Sequence, residues 1–225
     1  MTRDLARPTV LAAALVAALP MAAAAHPHVY IDAALVLDYD AEGRLTGVEV
    51  EWAYDELYSL LIIEDYGLDP DGDGVLTAEE NAVIQGFDGD WEEGFDGRLF
   101  LQQDGQPVAM GQPADFTAEY RDGRLISRHL HPLAIPVAGN LPLALQVYDP
   151  EYYVAFSMPA APETRGRDDC RVEPVSGDPE AAADAYLTAV ETALDSGNAD
   201  NAELVIVDIG ATGADGATIN CGDVP

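Results

Sequence analysis

The segment Asp69-Pro-Asp-Gly-Asp-Gly-Val-Leu-Thr-Ala-Glu-Glu80 carries the most specific chemistry in the chain. Aspartates stand at loop positions 1, 3 and 5 (Asp69, Asp71, Asp73), glycine at 6 (Gly74) and glutamate at 12 (Glu80), the twelve-residue calcium-loop pattern. Calcium takes six to eight hard oxygens, so alternate carboxylates turn inward. Val75 adds its backbone carbonyl, Thr77 can hold a water, and Glu80 can bind through both oxygens. Gly74 permits the sharp turn, and Leu76 is the apolar residue expected in the middle of such a loop. A plain Asp/Gly turn in an acidic chain would not supply the matching glutamate and aliphatic residue as well.

Four histidines form two His-x-His pairs, His26/His28 and His129/His131. On a strand, residues i and i+2 share a face, so each pair can present two imidazoles side by side. Four imidazoles from two such strands would suit Zn, Ni, Co or Cu. The plainer reading makes the first pair polar residues at a chain end and the second a solvent-facing row on an edge strand. Asp149, in the turn-forming Tyr148–Tyr153 stretch, is a candidate oxygen ligand or histidine partner, or simply the corner residue between two strands. Glu151 has the same standing.

These residues need elements to hold them. Asp55 to Tyr66 has an N-cap candidate and an apolar stripe, and Thr77-x-x-Glu80 has capping-box spacing, so helices are expected on both sides of the calcium loop. That arrangement is an EF-hand-like helix-loop-helix, here without a second copy to pair with. Strands are expected over 28–40, 44–53, 98–103, 107–110, 114–121, 124–135, 141–148 and 152–158. Glu42-Gly43, Asp122-Gly123 and Gly139-Asn140 serve as turns. Asp178-Pro179 opens an Ala-rich helix running toward Gly197, and Glu203–Ile209 reads as a last strand. The expected fold class is α+β: an antiparallel sheet or sandwich with an inserted EF-hand-like helix-loop-helix and a C-terminal helix. The expected division is 1–25, 26–158 with the insert at 55–94, and 159–225 as helix and disulfide-tethered tail.

Composition narrows the partners. The 225 residues carry 10 basic and 41 acidic side chains, a formal net charge of −31, and no lysine. Phosphate neutralisation needs a basic surface, so nucleic acid is excluded as a partner, and attraction to anionic lipid is disfavoured. Cations are the natural ligands. Arg3 and Arg7, the apolar run Val10–Leu19 and Ala23–Ala25 read as an export signal cleaved after Ala25. Cleavage there makes His26 the amino terminus, whose amine and ring could chelate together. Pro27 lacks an amide N–H, which rules out square-planar copper bound through backbone amides. No later run reaches the ~18 apolar residues of a membrane span. Cys170 and Cys221 suit an oxidising compartment and can form one disulfide.

The stretches HPHVYID, TGVEVEWAYDELYSLLIIED, DPDGDGVLTAEE and YDPEYYVAFSM together resemble one bacterial periplasmic family, domain-of-unknown-function family 1007. It is described as the periplasmic component of an uncharacterised ABC-type transport system. The similarity covers His26 to about Met158, and the cysteine-bearing tail is family-like. Members commonly sit beside nickel/cobalt-type transporters and some are linked to zinc uptake. The resemblance therefore implies a periplasmic metal-handling accessory, and the leading expectation is a non-catalytic binding protein that hands Zn, Ni or Co to an inner-membrane transporter, with the calcium loop as a structural site. It carries over onto His26, His28 and Tyr148–Tyr153 and does not call for His129 or His131. Two other readings stand beside it: a calcium-dependent structural or interaction protein, and an enzyme using an N-terminal histidine brace for copper. Against the enzyme, the chain has no catalytic cysteine, nucleophile elbow, phosphate loop or His-Glu-x-x-His helix.

Overall fold

The computed structural model describes residues 27–92, 94–150, 153–195 and 210–223. Strand β1 (Val29–Tyr39) alternates strictly, with Val29, Ile31, Ala33, Leu35, Leu37 and Tyr39 buried. It pairs antiparallel with β2 (Leu45–Tyr54) around a turn in which the Asp40 carboxylate accepts from the Glu42 and Arg44 amides. β2 pairs with β6 (Arg124–Val137), which pairs with β5 (Ala114–Arg121). Asp122 and Gly123 join β5 to β6 with φ of 54° and 79°, the two positive values a tight hairpin of primed type requires. On the other side of β1, β8 (Val154–Ser157) and β9 (Glu163–Arg165) both run parallel to it, so the first sheet has the order β5-β6-β2-β1-β8 with β9 also on β1.

The second sheet is built from β3 (Leu99–Gln103), β4 (Gln106–Pro107), β7 (Leu143–Val147), β10 (Arg171–Val175) and β11 (Gly216–Asn220), in the order β10-β11-β7-β3-β4. Leu99, Leu101, Leu145 and Ile219 of this sheet share one apolar cluster with Leu37, Val48 and Leu125 of the first. The result is a mostly antiparallel β-sandwich with few helices. The antiparallel expectation fails only along β1, whose outer neighbours arrive by crossover connections. The strand expected over 107–110 shrinks to β4 and an isolated bridge between Met110 and Leu133.

The chain beyond residue 158 supplies β9 to one sheet and β10 and β11 to the other. Cys170 and Cys221 flank the β10–β11 ladder and are bonded, closing 51 residues of sequence. Between β2 and β3 lie α1 (Glu56–Asp65) and α2 (Ala78–Val83), with the acidic loop between them. Helix α3 (Pro179–Asp195) starts at Asp178, whose carboxylate accepts from the Ala181 amide, and packs on α4 (Gly210–Gly213). The segments 1–25, with His26, and 203–209 lie outside the described residues, as does Glu151. No helix among the described residues is long and apolar enough to cross a membrane.

The apolar stripe expected of the first helix is split, with Ile63 in the core and Tyr58 and Ile62 packed against it. Only Ser59 and Ile63 of α1 are buried, while Leu57, Leu60 and Leu61 are exposed. The run is apolar around most of its circumference, so periodicity could not choose a face. Ser59 chooses it: its hydroxyl accepts from the Leu125 amide at 2.8 Å and so fastens α1 to β6.

Candidate functional site

Asp69 has φ 54°, and its carboxylate accepts from the Asp73 and Gly74 amides at 3.0 Å each. Those bonds curl the loop so that one carboxylate oxygen each of Asp69, Asp71 and Asp73 lie within 4.8 Å of one another. Gly74 has φ 77°, and a Cβ there would stand in open space, so only the backbone conformation demands glycine. The charge on Asp73 raises the proton affinity of Asp71 above the ordinary carboxylate value. Glu80 closes the loop from α2. Its Oε1 accepts from the Asp69 amide at 3.1 Å, and its Oε2 from the Thr77 amide and hydroxyl at 2.8 Å each. The Thr77 bonds lower the Glu80 pKa. Leu76 is buried in the same apolar cluster as Ile63 and Ile84, while Val75 is exposed. The donor set is all oxygen and negatively charged, which fits a hard divalent cation.

His28 and Asp149 meet at one corner of the sandwich. The His28 amide donates to the Tyr153 carbonyl at 2.9 Å, and the two rings lie 4.9 Å apart. Asp149, 2% exposed, accepts through Oδ2 from the Tyr153 and Val154 amides at 3.0 Å each. Its Oδ1 pairs with Arg98 at 3.1 Å. These bonds turn the chain from β7 into β8 and set β8 beside β1. The carboxylate thus acts as the corner residue, with both oxygens engaged.

His129 and His131 lie elsewhere, which corrects the expectation of one four-imidazole site. They pair with Val50 and Val48 of β2, which in turn pair with Leu35 and Leu37 of β1. One strand therefore separates them from β1. Leu35 is seven residues from His28, about 23 Å along the strand at ~3.3 Å per residue. Same-face spacing is readable from the sequence; strand neighbours and register are not. Nor is the pair a solvent-facing row: His129 is 1% and His131 2% exposed. On β6, Arg124 and Arg128 bond outward to Asp32, Glu51 and Glu119, and the alternate residues Leu125, Ser127, His129, His131 and Leu133 face the core. Two arginines of even number on the same strand are the signal that the odd-numbered histidines point inward.

Around the pair is a polar cluster that sequence reasoning missed. Among the described residues, the buried side-chain nitrogens and oxygens without a hydrogen-bond partner are Trp52 Nε1, Asp88 Oδ1, Ser127 Oγ, both ring nitrogens of His129 and Nδ1 of His131. Every one belongs to β2, β6 or the segment after α2. Tyr54 donates to Asp88 Oδ2 at 3.0 Å; Ser127 Oγ lies near both without an aligned bond to either. Burial raises the pKa of Tyr54 and of Asp88 and lowers that of His131; it pushes His129 down to about 3. Both imidazoles are therefore neutral near pH 7, the form that binds metal.

Sandwich, carboxylate-lined loop and neutral histidine pair define an acidic, disulfide-fastened β-protein with cation-suited side chains. A family model described as a protein of unknown function (DUF1007) matches residues 11–221. The chain belongs to that family, and the match runs past Met158, through β9 to β11. No curated protein matches it.

Proposed function

We propose that this is a non-catalytic, exported divalent-metal-binding protein, an accessory of a Zn, Ni or Co transport system, with an EF-hand-type calcium site at Asp69–Glu80. The observation that carries the reading is the convergence of the Asp69, Asp71 and Asp73 carboxylates in the loop that α2 closes. Three like charges this close repel one another, and a bound cation reverses that cost. Glu80 already reaches across the loop, so calcium needs it only to exchange amide partners for the ion. Val75 and Thr77 supply the remaining positions. The disulfide accords with an oxidising periplasm. Each described arginine is ion-paired, from Arg44 to Arg171, which leaves a surplus of uncompensated carboxylates to gather cations. His26 and His28, at the start of the mature chain, are the transition-metal ligands of this proposal, and an inner-membrane metal transporter is the partner.

A second reading is a calcium-binding structural or interaction protein with no transition-metal role. It is favoured by the engagement of Asp149, whose oxygens are committed to the corner rather than to a site at His28. Metal analysis of untagged protein from the periplasm separates the two: Zn, Ni or Co at about one per chain supports the first, and calcium alone the second. The calcium site itself is tested by thermal unfolding with ~1 mM Ca²⁺ or with chelator, since extracellular sites bind at about 10⁻⁴–10⁻³ M. Calcium is expected to raise the melting temperature of the parent and to do so far less in Glu80→Gln. Identical melting with calcium and chelator overturns the calcium site.

A further inference from the structure

The orphaned atoms around His129 and His131 have no role in either reading above. A buried polar atom without a partner is costly, so folded proteins tolerate few of them. Here three of the six among the described residues are ring nitrogens of one histidine pair, and a fourth belongs to Trp52, whose ring lies 5.1 Å from that of His129. His131 Nε2 lies 3.1 Å from the Gly111 carbonyl. A carbonyl only accepts, so Nε2 carries the proton and Nδ1 carries the bare lone pair. That is the arrangement of a metal-ligating histidine, whose second nitrogen donates to a backbone carbonyl and thereby fixes tautomer and ring angle. Nδ1 is buried and has no donor. His129, two residues along the same face, has neither ring nitrogen hydrogen-bonded, so one bare lone pair and one N–H are both without a partner.

The distance between the rings says what separates this pair from a finished site. Two imidazoles on one tetrahedral zinc, with Zn–N of about 2.0–2.1 Å, place their ring centres about 5 Å apart. Here the centres are 6.2 Å apart. The indole of Trp91 stands edge-on to both rings, 4.9 Å from His129 and 5.8 Å from His131. It is held there by its Nε1 donating to the Asp88 carbonyl and by the absence of a side chain on Gly97, where a Cβ would lie within 3 Å of the indole. A groove of about 800 Å³ on the second sheet reaches His131 at one end, alongside Asp96, Met110 and Gly111. The Asp96 charge acts on the His131 ring from the same groove, but it does not join the two histidines as a third ligand within 4.8 Å, so the protein supplies two nitrogens and the groove leaves the other positions to water.

We propose that His129 and His131 form a second transition-metal site, entered from this groove and closed in this conformation by the Trp91 indole. The ligand class is a borderline divalent ion such as Zn²⁺, because neutral imidazole nitrogen suits it and the all-oxygen calcium loop does not. The ion would take one orphaned nitrogen from each ring, leaving the second nitrogen of His129 to a water, and the rings need approach by only about 1 Å. The proposal deepens the metal-handling reading and is independent of the N-terminal pair.

The test uses full-length mature protein carrying His26→Ala and His28→Ala, with cleavage confirmed by mass spectrometry and the calcium loop saturated. Co²⁺ is the probe. The expected result is one Co²⁺ per chain with the intense visible bands of a tetrahedral site, quenched tryptophan fluorescence, and displacement by Zn²⁺. These signals should vanish in His129→Gln/His131→Gln and appear at lower Co²⁺ in Trp91→Ala. Because the double substitution could impair folding, imidazole ¹⁵N NMR on the parent supplies a second measurement: Zn²⁺ should move the ring nitrogens of both residues. Resonances unmoved by excess Zn²⁺ overturn the proposal and assign the orphaned atoms to buried water. The N-terminal site fails separately, by unchanged Zn²⁺ affinity in the His26→Ala/His28→Ala protein.

Discussion

Asp149→Ala is the most severe single substitution the structure points to outside the apolar core. The carboxylate is buried and holds three groups: two backbone amides at 3.0 Å and the Arg98 guanidinium at 3.1 Å. Arg98 sits at φ 53° at the head of β3, its carbonyl accepts from the Tyr148 amide, and its guanidinium lies over Phe95. Asp149 therefore ties β3, β7 and β8 together at the corner where β8 joins β1. Hydrogen bonds to a charged group contribute about 1.5–3 kcal/mol each, and the two amides would be left buried without an acceptor. Arg98 keeps some contact with water, its side chain being 22% exposed, so its loss is the smaller part. Shared partners make the losses less than additive, and we expect about 4 kcal/mol in total. At about 2–4 °C per kcal/mol for a chain of this size, the melting temperature should fall by about 8–16 °C. Asp149→Asn keeps an acceptor for the amides and should lose about half as much. Urea unfolding followed by tryptophan fluorescence measures both. A loss under ~1 kcal/mol for the alanine variant would mean that the corner is not held as described. Preserved stability with lost Zn²⁺ binding would return Asp149 to the ligand set.

Reduction of the Cys170–Cys221 bond, or Cys170→Ser with Cys221→Ser, should cost about 4 kcal/mol by the chain-entropy argument for a loop of 51 residues; two free thiols in exported, denatured protein would refute the pairing. The buried histidines predict an acid dependence. His129 is held neutral to about pH 3, whereas an unfolded histidine takes a proton near pH 6.5, so the unfolded state binds more protons between those values. Stability is thus full above about pH 6.5 and falls as the pH drops toward 3, by at most about 1.4 kcal/mol per unit for this group. His131 adds to the slope, while the raised pKa of Asp88 works against it at the acid end. Metal-free His129→Gln should show a shallower decline of urea midpoint between pH 7 and 4, and an identical decline would exclude His129 as its source.

Local chemistry was legible in the sequence because it depends on a few neighbouring residues. The Thr77–Glu80 capping box, the Asp55 cap of α1, the Asp122-Gly123 turn and the alternation of β1 all follow from spacing. What escaped depends on distant partners. β10 (RVEPV) and β11 (GATIN) have neither strong alternation nor length, and they are strands because the disulfide and β7 hold them in one ladder. The outward face of α1 was settled by one hydroxyl bonding an amide 66 residues away. The two histidine pairs looked alike by spacing, yet β2 lies between their strands and buries one of them. Trp91, which meets that buried pair, and Asp88, whose carbonyl holds the indole, come from an irregular segment that no periodicity describes.

The separation of donors has a physical consequence for a protein proposed to handle two kinds of ion. Calcium and zinc would compete if carboxylates and imidazoles shared one pocket, because a mixed site discriminates between them poorly. Here Asp71 and Asp73 are exposed, Asp69 is half-buried, and the charges repel one another, which suits a large hard ion bound weakly and exchanged with solvent. The His129 and His131 nitrogens are buried, uncharged and walled by Trp52, Trp91 and Phe116. An ion entering that space loses its hydration shell and gains no formal negative charge from the two rings, so calcium, which binds nitrogen poorly, is excluded by desolvation. Zinc bound as proposed would recover the loss through Zn–N bonding. The same −31 charge that draws every cation to the surface therefore cannot decide what is held inside; the ligand atoms and their burial do.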